Sequence, residues 1–261
     1  MSDDEIPKKI SEKVLYDVDN LEKRQRILRH DDSDTAVFEE VFDRSTRMTL
    51  YDIMNANVFR YLNGVVASGK ESRVYWGVRS DNSSVAVKIY LVASAEFKRR
   101  LQYIAGDPRF GGVKKGMRNL VNLWARKEFK NLKTAYEAKV PVPEPIHMKG
   151  NVLVMEFIGE NGVPAPTLNK CDVMQKHYTE VLKATSKLYN AKLVHADLSE
   201  YNVFLYRKKI MLFDFGSAVD IRHPNSQGFL VRDISNINKF FSKRGLKVYE
   251  LDKALKMVKK S

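Results

Sequence analysis

The chain has 261 residues and a mass of 30.1 kDa, and its 45 Lys and Arg residues against 32 Asp and Glu residues give a net charge of +13. A hydrophobic fraction of 44% excludes a wholly disordered chain, and no apolar run approaches the roughly 18 residues of a membrane-spanning helix.

A single cysteine, Cys171, cannot form an internal disulfide, and the acidic N-terminus lacks the apolar core of a secretory signal. Both features favour a cytoplasmic protein. The positive surplus predicts a polyanionic partner.

Residues 1–45 alternate charged and apolar positions at loosely helical spacing, which predicts one or two exposed helices. Residues 74–78 alternate apolar and polar positions, and residues 85–91 are rich in β-branched and aromatic side chains. We therefore predict two antiparallel strands joined by the turn at 79–83. The following segment, 93–116, contains several glycines and a proline and is predicted to be a mobile loop.

Apolar residues that recur at intervals of three and four predict an amphipathic helix over residues 118–138. Residues 151–158 have the composition of a buried strand, and the segment 159–166, with two glycines and two prolines, is the predicted boundary between two lobes. Beyond it we predict a hairpin at 203–213 and three helices at about 170–190, 229–242 and 248–259. Strands come first and helices dominate later, so the predicted fold class is α+β in two lobes.

The segment from Gly64 to Lys70 nearly matches a P-loop, but the next residue, Glu71, lacks the hydroxyl that a P-loop uses to hold Mg²⁺. A P-loop also opens into a helix, whereas a strand pattern follows here, so a P-loop NTPase is disfavoured. A turn between strands can still meet phosphates through the backbone at Gly69, the Ser68 hydroxyl and the Lys70 charge. Taken alone, these residues are explained better by an ordinary glycine-containing hairpin turn.

A second motif, HADLSEYN at residues 195–202 followed by FDFG at 213–216, changes that balance. Kinase-type phosphoryl transfer needs a carboxylate near the attacking hydroxyl and two oxygen ligands that place Mg²⁺ against the phosphates. Asp197, Asn202 and Asp214 have the order and spacing with which kinases supply these groups. Each residue alone would be unremarkable, but the set predicts phosphoryl transfer from a nucleotide.

Two further residues extend this set. Lys88 lies in an Ala-Val-Lys sequence on a predicted strand, and Glu128 lies on the amphipathic helix that follows. In kinases a strand lysine binds the α- and β-phosphates and a helix glutamate orients it. For Glu128 alone, a solvated helix carboxylate beside Lys127 is as good an explanation as pairing with Lys88.

Together, these motifs resemble those of the RIO family of atypical serine/threonine protein kinases. The matching segments are residues 67–75, 86–90, 124–132, 154–159 and 193–202, and the last is highly specific. The His-Ala-Asp-Leu-Ser-Glu form resembles the first RIO branch. The resemblance implies a trimmed bilobal kinase-like fold with a helical extension at 1–45, an N-lobe at 46–158 and a C-lobe at 159–261.

The resemblance also implies an ATP site between the lobes. Its implied nucleotide-binding residues are Ser68, Gly69, Lys70, Lys88, Glu128, Met155, Glu156, Ile158 and Glu200. Among them, Lys88 would pair with Glu128, and the hinge at 155–158 would meet the adenine through its backbone. Asp197 would be the catalytic aspartate, and Asn202 and Asp214 would be ligands of Mg²⁺ or Mn²⁺.

The implied activity is an ATP-dependent serine/threonine kinase, or an ATPase that forms a phospho-aspartate on Asp214. RIO proteins act in maturation of the small ribosomal subunit, so the implied partners are the pre-small-subunit particle and its rRNA. Two alternatives remain: a small-molecule phosphotransferase of the aminoglycoside type, and an assembly scaffold that binds nucleotide without turnover. The basic surface disfavours the first, and the intact acidic set disfavours the second.

Two clusters of basic residues are candidates for binding rRNA. They are Lys98, Arg99, Arg100, Arg109, Lys114, Lys115, Arg118, Arg126, Lys127 and Lys130 in the first cluster, and Lys253, Lys256, Lys259 and Lys260 in the second. A solvated helix face is the commoner explanation of any single run. Ala196 stands where ordinary protein kinases carry an arginine that pairs with a phosphorylated activation loop, so this form of control is predicted to be missing.

Overall fold

The computed structural model describes residues 42–92, 103–104, 107–110 and 116–260. The predicted N-terminal helices, most of the predicted loop at 93–116 and the basic residues at 98–100 and 114–115 lie outside the described residues. The described chain divides into two compact units. The first contains residues 42–92, 116–125 and 146–163, and the second contains residues 103–104, 107–110, 126–145 and 164–260. The lobe limits expected from the sequence stay a prediction.

The first unit is built on a five-stranded sheet. Its strands are β1 (Tyr61–Ser68), β2 (Ser72–Val78), β3 (Ser84–Tyr90), β4 (Pro145–Lys149) and β5 (Val152–Glu156). Their order across the sheet is β1-β2-β3-β5-β4. β2 and β3 pair antiparallel from one end to the other, which confirms the predicted hairpin. β3 lies at the centre of the sheet between β2 and β5, and every position from Val85 to Tyr90 is buried.

Helix α1 (Arg44–Asn55) precedes this sheet and was not predicted, because the expected helices ended at residue 45. It begins after Asp43, whose carboxylate accepts hydrogen bonds from the backbone N–H groups of Ser45 and Thr46, as an N-cap residue does. Leu50 and Ile53 are fully buried and join the core formed under the sheet. The helix therefore covers apolar strand residues that would otherwise face water.

Helix α2 (Met117–Glu137) confirms the predicted helix within one residue at each end. Residues 117–125 belong to the first unit and residues 126–137 to the second. After the helix, Lys139 has a left-handed backbone with φ +59°, and three prolines within residues 141–145 prevent its continuation.

Helices predominate over strands in the second unit. Its helices are α3 (Gln175–Asn190), α4 (Ser226–Lys243) and α5 (Leu251–Lys259), and a short 3₁₀ helix spans Leu168–Lys170. β6 (Gly159–Glu160) pairs with β7 (Val163–Pro164), where the chain passes from the first unit to the second. The other short strands are β8 (Leu193–Val194), β9 (Val203–Tyr206), β10 (Lys209–Leu212) and β11 (Val219–Asp220).

The pairing of β9 with β10 confirms the predicted hairpin, and β8 pairs with β11. The three predicted helices are also present, with ends shifted by a few residues. A strand-rich first unit and a helix-rich second unit confirm the α+β class. Within the described ranges, no helix has the length and apolar character needed to cross a membrane.

Candidate active site

The loop that carries Asp197 connects β8 to β9 and is held from α4. Asp233, fully buried on α4, accepts hydrogen bonds from the backbone N–H of Ala196 at 2.8 Å and of Leu198 at 3.0 Å. These two donors flank Asp197 in the chain. One carboxylate thus fixes the backbone on both sides of Asp197. Asp197 itself is exposed.

Two neighbours of Asp233 on α4 hold the same loop. The Arg232 guanidinium donates to the carbonyl of Ala196, and the Asn236 amide donates to the carbonyl of Leu198 at 3.3 Å. Burial raises the pKa of Asp233 to about 7, against the opposing effects of the two N–H groups and of Arg232. Sequence reasoning missed these α4 residues, although Asp233 interrupts a buried stripe that runs from Leu230 to Ile237.

Asn202 joins the catalytic loop to the segment that carries Asp214. Its Nδ2 donates to the carbonyl of Asp197 at 2.8 Å, and its own carbonyl accepts from the N–H of Phe213 at 3.1 Å. The first bond sets the orientation of the amide and leaves Oδ1 as its acceptor atom. The structure therefore brings Asp197, Asn202 and the residue before Asp214 into one hydrogen-bonded group.

Asp214 has a left-handed backbone with φ +63°, and Ala196 has the same value. The segment is held on its N-terminal side by His195, whose Nε2 donates to the carbonyl of Phe213 at 3.0 Å. Burial lowers the pKa of His195 to about 4, so the imidazole is neutral at neutral pH. Phe215, on the other side of Asp214, is buried with its ring 4.9 Å from the imidazole. His195 therefore orders both motifs through packing and one hydrogen bond.

Asn202 and Asp214 carry oxygen atoms of the type that a magnesium ion takes as ligands. In the described ranges, no cluster of three or more His, Cys, Asp and Glu side chains could hold a metal on its own. Mg²⁺ commonly takes one or two protein oxygen ligands and completes its shell with phosphate oxygens and water. The Asp214 carboxylate and the Asn202 Oδ1 are oxygen ligands of that type.

The first unit carries the predicted phosphate-binding turn. Ser68 ends β1, and Ser68, Gly69 and Lys70 are all exposed. The turn is closed by the N–H of Gly69, which donates to the carbonyl of Ser72 at 2.9 Å. β2 starts directly at Ser72, so the turn leads into a strand and the prediction against a P-loop is confirmed.

Lys88 lies on the central strand β3, opposite Val74 of β2 and Leu153 of β5. It is 6% exposed, and its ammonium lies 5.3 Å from the centroid of the Tyr90 ring. The predicted hinge residues Met155 and Glu156 end the neighbouring strand β5, and Ile158 follows two residues later in a buried position. The structure thus places Lys88 and the predicted hinge residues Met155 and Glu156 on adjacent strands of one sheet.

Two predicted nucleotide-site residues lie in the second unit. Glu128 on α2 is only 1% exposed, so the interpretation of this residue as a solvated carboxylate is wrong. Its pairing with Lys88 stays a prediction. Glu200 is partly buried, and its carbonyl accepts from the N–H of Asn169 at 3.4 Å.

Two members of the first basic cluster are not available to a polyanion. Lys127 is fully buried, and its Nζ donates to the carbonyls of Gly216, at 2.9 Å, and Ala218. Arg109 binds Asp107 through two nitrogens, at 2.9 and 2.7 Å. The prediction that these two residues belong to a solvated basic surface is therefore wrong.

Comparison with known proteins places these motifs in a family. A family model described as the RIO domain matches residues 73–254. The serine/threonine-protein kinase RIO1 of Caenorhabditis elegans is 36% identical over 247 residues, which cover 92% of this chain and 49% of that protein. The RIO-type serine/threonine-protein kinase Rio1 of Methanocaldococcus jannaschii is 37% identical over 249 residues, with coverages of 92% and 84%. The chain thus spans about half the length of the C. elegans relative.

Among solved structures, the Rio2 kinase of Chaetomium thermophilum in its ADP/Mg²⁺-phosphoaspartate complex has a similar fold. The TM-score is 0.62 at 19% identity, and the match covers 95% of this chain and 86% of that one. The similarity confirms the predicted kinase-like fold. Since the domain match covers most of the chain and relatives named RIO1 extend over nearly all of it, this chain belongs to the RIO family, as its motifs predicted.

Proposed function

We propose that this chain transfers the γ-phosphoryl group of ATP in a Mg²⁺-dependent reaction, as a serine/threonine kinase of RIO type. The observation that supports this most is the hydrogen-bonded group of Asp197, Asn202 and Phe213, which precedes Asp214 in the chain. Relatives that cover most of this chain are named serine/threonine-protein kinases.

In the proposed reaction, Asp197 orients a substrate hydroxyl and accepts its proton as the oxygen bonds to the γ-phosphorus and ADP leaves. Asn202 and Asp214 would hold Mg²⁺, which when bound offsets the negative charge of the phosphates. Lys88, oriented by Glu128, would bind the α- and β-phosphates. The remaining nucleotide contacts would come from the turn, the hinge and the catalytic loop, at Ser68, Gly69, Lys70, Met155, Glu156, Ile158 and Glu200.

The phosphoaspartate in the Rio2 structure favours a second form of the same activity. Here a carboxylate oxygen of Asp214 would bond to the γ-phosphorus as the bond to ADP breaks. Water would then attack the acyl phosphate, releasing inorganic phosphate and restoring the carboxylate. The protein would act mainly as an ATPase, with the phosphorylated and unphosphorylated forms as its two states.

The proposal is tested by incubating the chain with γ-labelled ATP and Mg²⁺ and measuring both phosphate release and protein-bound label. Asp197→Asn and Asp214→Asn should each lower turnover by about 10²-fold or more, because each removes a group that acts on the reacting atoms. Asp252→Asn, at an exposed position on α5, is the matched control and should retain wild-type turnover. Wild-type turnover in Asp197→Asn would contradict the catalytic assignment.

Hydroxylamine treatment separates the two forms of the activity. An acyl phosphate on Asp214 is cleaved by hydroxylamine, whereas a phosphoserine or phosphothreonine is stable. Label that is bound to wild type and released by hydroxylamine supports the ATPase form, and stable label supports the kinase form. A small-molecule phosphotransferase would leave the protein unlabelled and would transfer the label to an added acceptor, and a scaffold would bind ATP without turnover.

We further propose a cytoplasmic role in small-subunit maturation, with the pre-small-subunit particle and its rRNA as partners. The support is the charge of the chain and the exposure of four lysines at its C-terminal end: Lys253, Lys256, Lys259 and Lys260. Each phosphate contact made by such a lysine releases a counterion, so affinity for rRNA should fall steeply as salt rises.

Replacing these four lysines by alanine should weaken binding to small-subunit rRNA and reduce the slope of log affinity against log salt concentration. A charge-matched control replaces four other exposed lysines of the second unit: Lys133, Lys170, Lys176 and Lys239. Equal losses in the two variants would mean that net charge alone attracts RNA. Affinity that does not change with salt would overturn the rRNA proposal.

A further inference from the structure

Two buried side chains of α2 bind the backbone that follows Asp214. Lys127 and Asn131 lie one helical turn apart, and both are 0% exposed. Lys127 Nζ donates to the carbonyls of Gly216 and Ala218, and Asn131 Nδ2 donates to those of Phe215, at 3.0 Å, and Ala218, at 2.8 Å. We call Lys127 and Asn131 the carbonyl clamp.

The clamp holds a tight turn. The N–H of Ala218 donates back to the carbonyl of Phe215 at 3.2 Å, and all four residues from 215 to 218 are buried. The carbonyls of Phe215, Gly216 and Ala218 therefore accept hydrogen bonds from two side chains of one helix. A turn bound in this way cannot shift along the helix without breaking several buried hydrogen bonds, each of which would leave an unsatisfied polar group.

Asp214 directly precedes this turn and has the left-handed backbone described above, which is energetically unfavourable for an aspartate. Such a conformation persists only where its surroundings fix the chain on both sides. On the N-terminal side, Phe213 is held by His195 and Asn202. On the C-terminal side, the carbonyl of Phe215 is held by Asn131.

The burial of the Lys127 ammonium group indicates that this residue does more than fill space in the core. A buried ammonium is costly unless hydrogen bonds and nearby charge compensate for its lost hydration, and an apolar side chain of similar length would avoid that cost. The carbonyls of the turn supply hydrogen bonds, and Asp107 supplies charge. Burial raises the pKa of Asp107, but Arg109 and the charge of Lys127 outweigh this and hold it below its ordinary value.

We propose that Lys127 and Asn131 are positioning residues that hold the Asp214 carboxylate where it binds the metal of the nucleotide complex. This inference rests on the proposed function, since it concerns the metal ligand of that site. Glu128 lies beside Lys127 in the same turn of α2. The residue expected to orient Lys88 and the residues that position Asp214 are therefore carried by one segment of helix.

The test measures the affinity of a fluorescent ATP analogue with and without Mg²⁺, in wild type, Lys127→Met and Asn131→Leu. Asp214 acts on the nucleotide through the metal, so metal-free affinity should stay close to wild type. The gain in affinity on adding Mg²⁺ should fall by about 10-fold or more, the usual effect of removing a group that orients a metal ligand. The matched control is Lys133→Met, at an exposed position of the same helix, which should keep the full gain.

Double variants distinguish positioning from general destabilisation. If the clamp acts through Asp214, adding Lys127→Met to Asp214→Asn should not reduce the Mg²⁺ gain further, whereas independent effects would add. Lys127→Gln keeps an uncharged NH₂ donor and should recover part of the gain. If Lys127→Met does not fold, Lys127→Gln and Asn131→Leu decide the question by the same measurement.

Two results have distinct meanings. A full Mg²⁺ gain in folded Asn131→Leu and in the folded Lys127 variant would overturn the clamp and leave the proposed function standing. A wild-type protein whose nucleotide affinity does not respond to Mg²⁺ would overturn the proposed function, and the positioning role with it.

Discussion

The loop around Asp197 and the turn around Gly69 serve the same proposed nucleotide, but they are built differently. The loop contains a left-handed residue, Ala196, next to Asp197, and it is hydrogen-bonded to three side chains of α4, of which Asp233 accepts and Arg232 and Asn236 donate. The turn is exposed, is closed by a backbone bond at Gly69, and needs no left-handed residue there. The first region is fixed by buried side chains, whereas the second is shaped by the backbone.

The difference follows from what each region must do. A carboxylate that accepts a proton or holds a metal has to occupy one place, so its backbone is kept in a strained conformation by several partners. A turn that meets phosphates through N–H groups needs mainly room for close approach. Substitutions of the α4 side chains that hold the loop should therefore impair it. The turn should be impaired by substitutions that fill the space where phosphates would approach.

The largest effect is expected for Asp233→Asn. An asparagine can offer one acceptor oxygen, so its NH₂ group would face one of the two backbone N–H donors at Ala196 and Leu198. A buried donor left without an acceptor costs about 1–3 kcal/mol, and we expect the free energy of unfolding to fall by that amount. Turnover should fall as well, because Asp197 lies between the two donors. Denaturation measured at about pH 4, where the raised pKa keeps Asp233 protonated in the folded protein, and ATP turnover measured at pH 8 test this, with Asp252→Asn as control.

The same variant should change how stability depends on pH. The pKa of Asp233 is raised from 3.8 to about 7 in the folded protein. Between these values the folded state binds a proton that the unfolded state does not, so this contribution to stability falls as pH rises from about 4 to 7. The free energy of unfolding of wild type minus that of Asp233→Asn should fall over this range and level off above about pH 8.

Chemical denaturation at each pH gives this difference directly. The hydrogen bond lost in Asp233→Asn adds a constant offset, which does not change the slope. A difference that stays flat or rises between pH 4 and 7 would mean that Asp233 is ionised throughout, with its two N–H bonds outweighing its burial.

Much of the fold and of the site was predictable because the signals are local. The β2–β3 hairpin follows from alternation and a turn sequence, and α2 follows from apolar spacing. The predicted site residues around Asp197 share one short motif, so their order along the chain nearly determines their proximity. Helix α1 was missed because its cap, Asp43, lies at the end of a highly charged segment in which apolar periodicity is weak.

The supports of the site were not predictable in the same way. Asp233 lies 36 positions after Asp197, and Lys127 lies 87 positions before Asp214. No spacing rule links them, because the fold brings them together. Lys127 was assigned to a basic surface on its charge alone, although it lies three residues after the buried Trp124 and four before Asn131. A polar residue that interrupts a buried helical stripe is the signal that could have identified both supports.

The smallest effect is expected in the turn. Among the described residues, a Cβ added at Gly69 would meet only the carbonyl oxygen of Ser72, at an ordinary contact distance of 3.5 Å, so the described part of the fold does not require glycine there. Gly69→Ala should therefore leave the free energy of unfolding within about 0.5 kcal/mol of wild type. If phosphates approach this backbone, the added methyl group should raise the KM for ATP several-fold. Gly64→Ala, in β1, is the control, because its Cβ would meet no atom of the described residues within 4 Å. An unchanged KM in Gly69→Ala would show that the turn does not contact the nucleotide, and the proposed site would then depend on Lys88 and the catalytic loop alone.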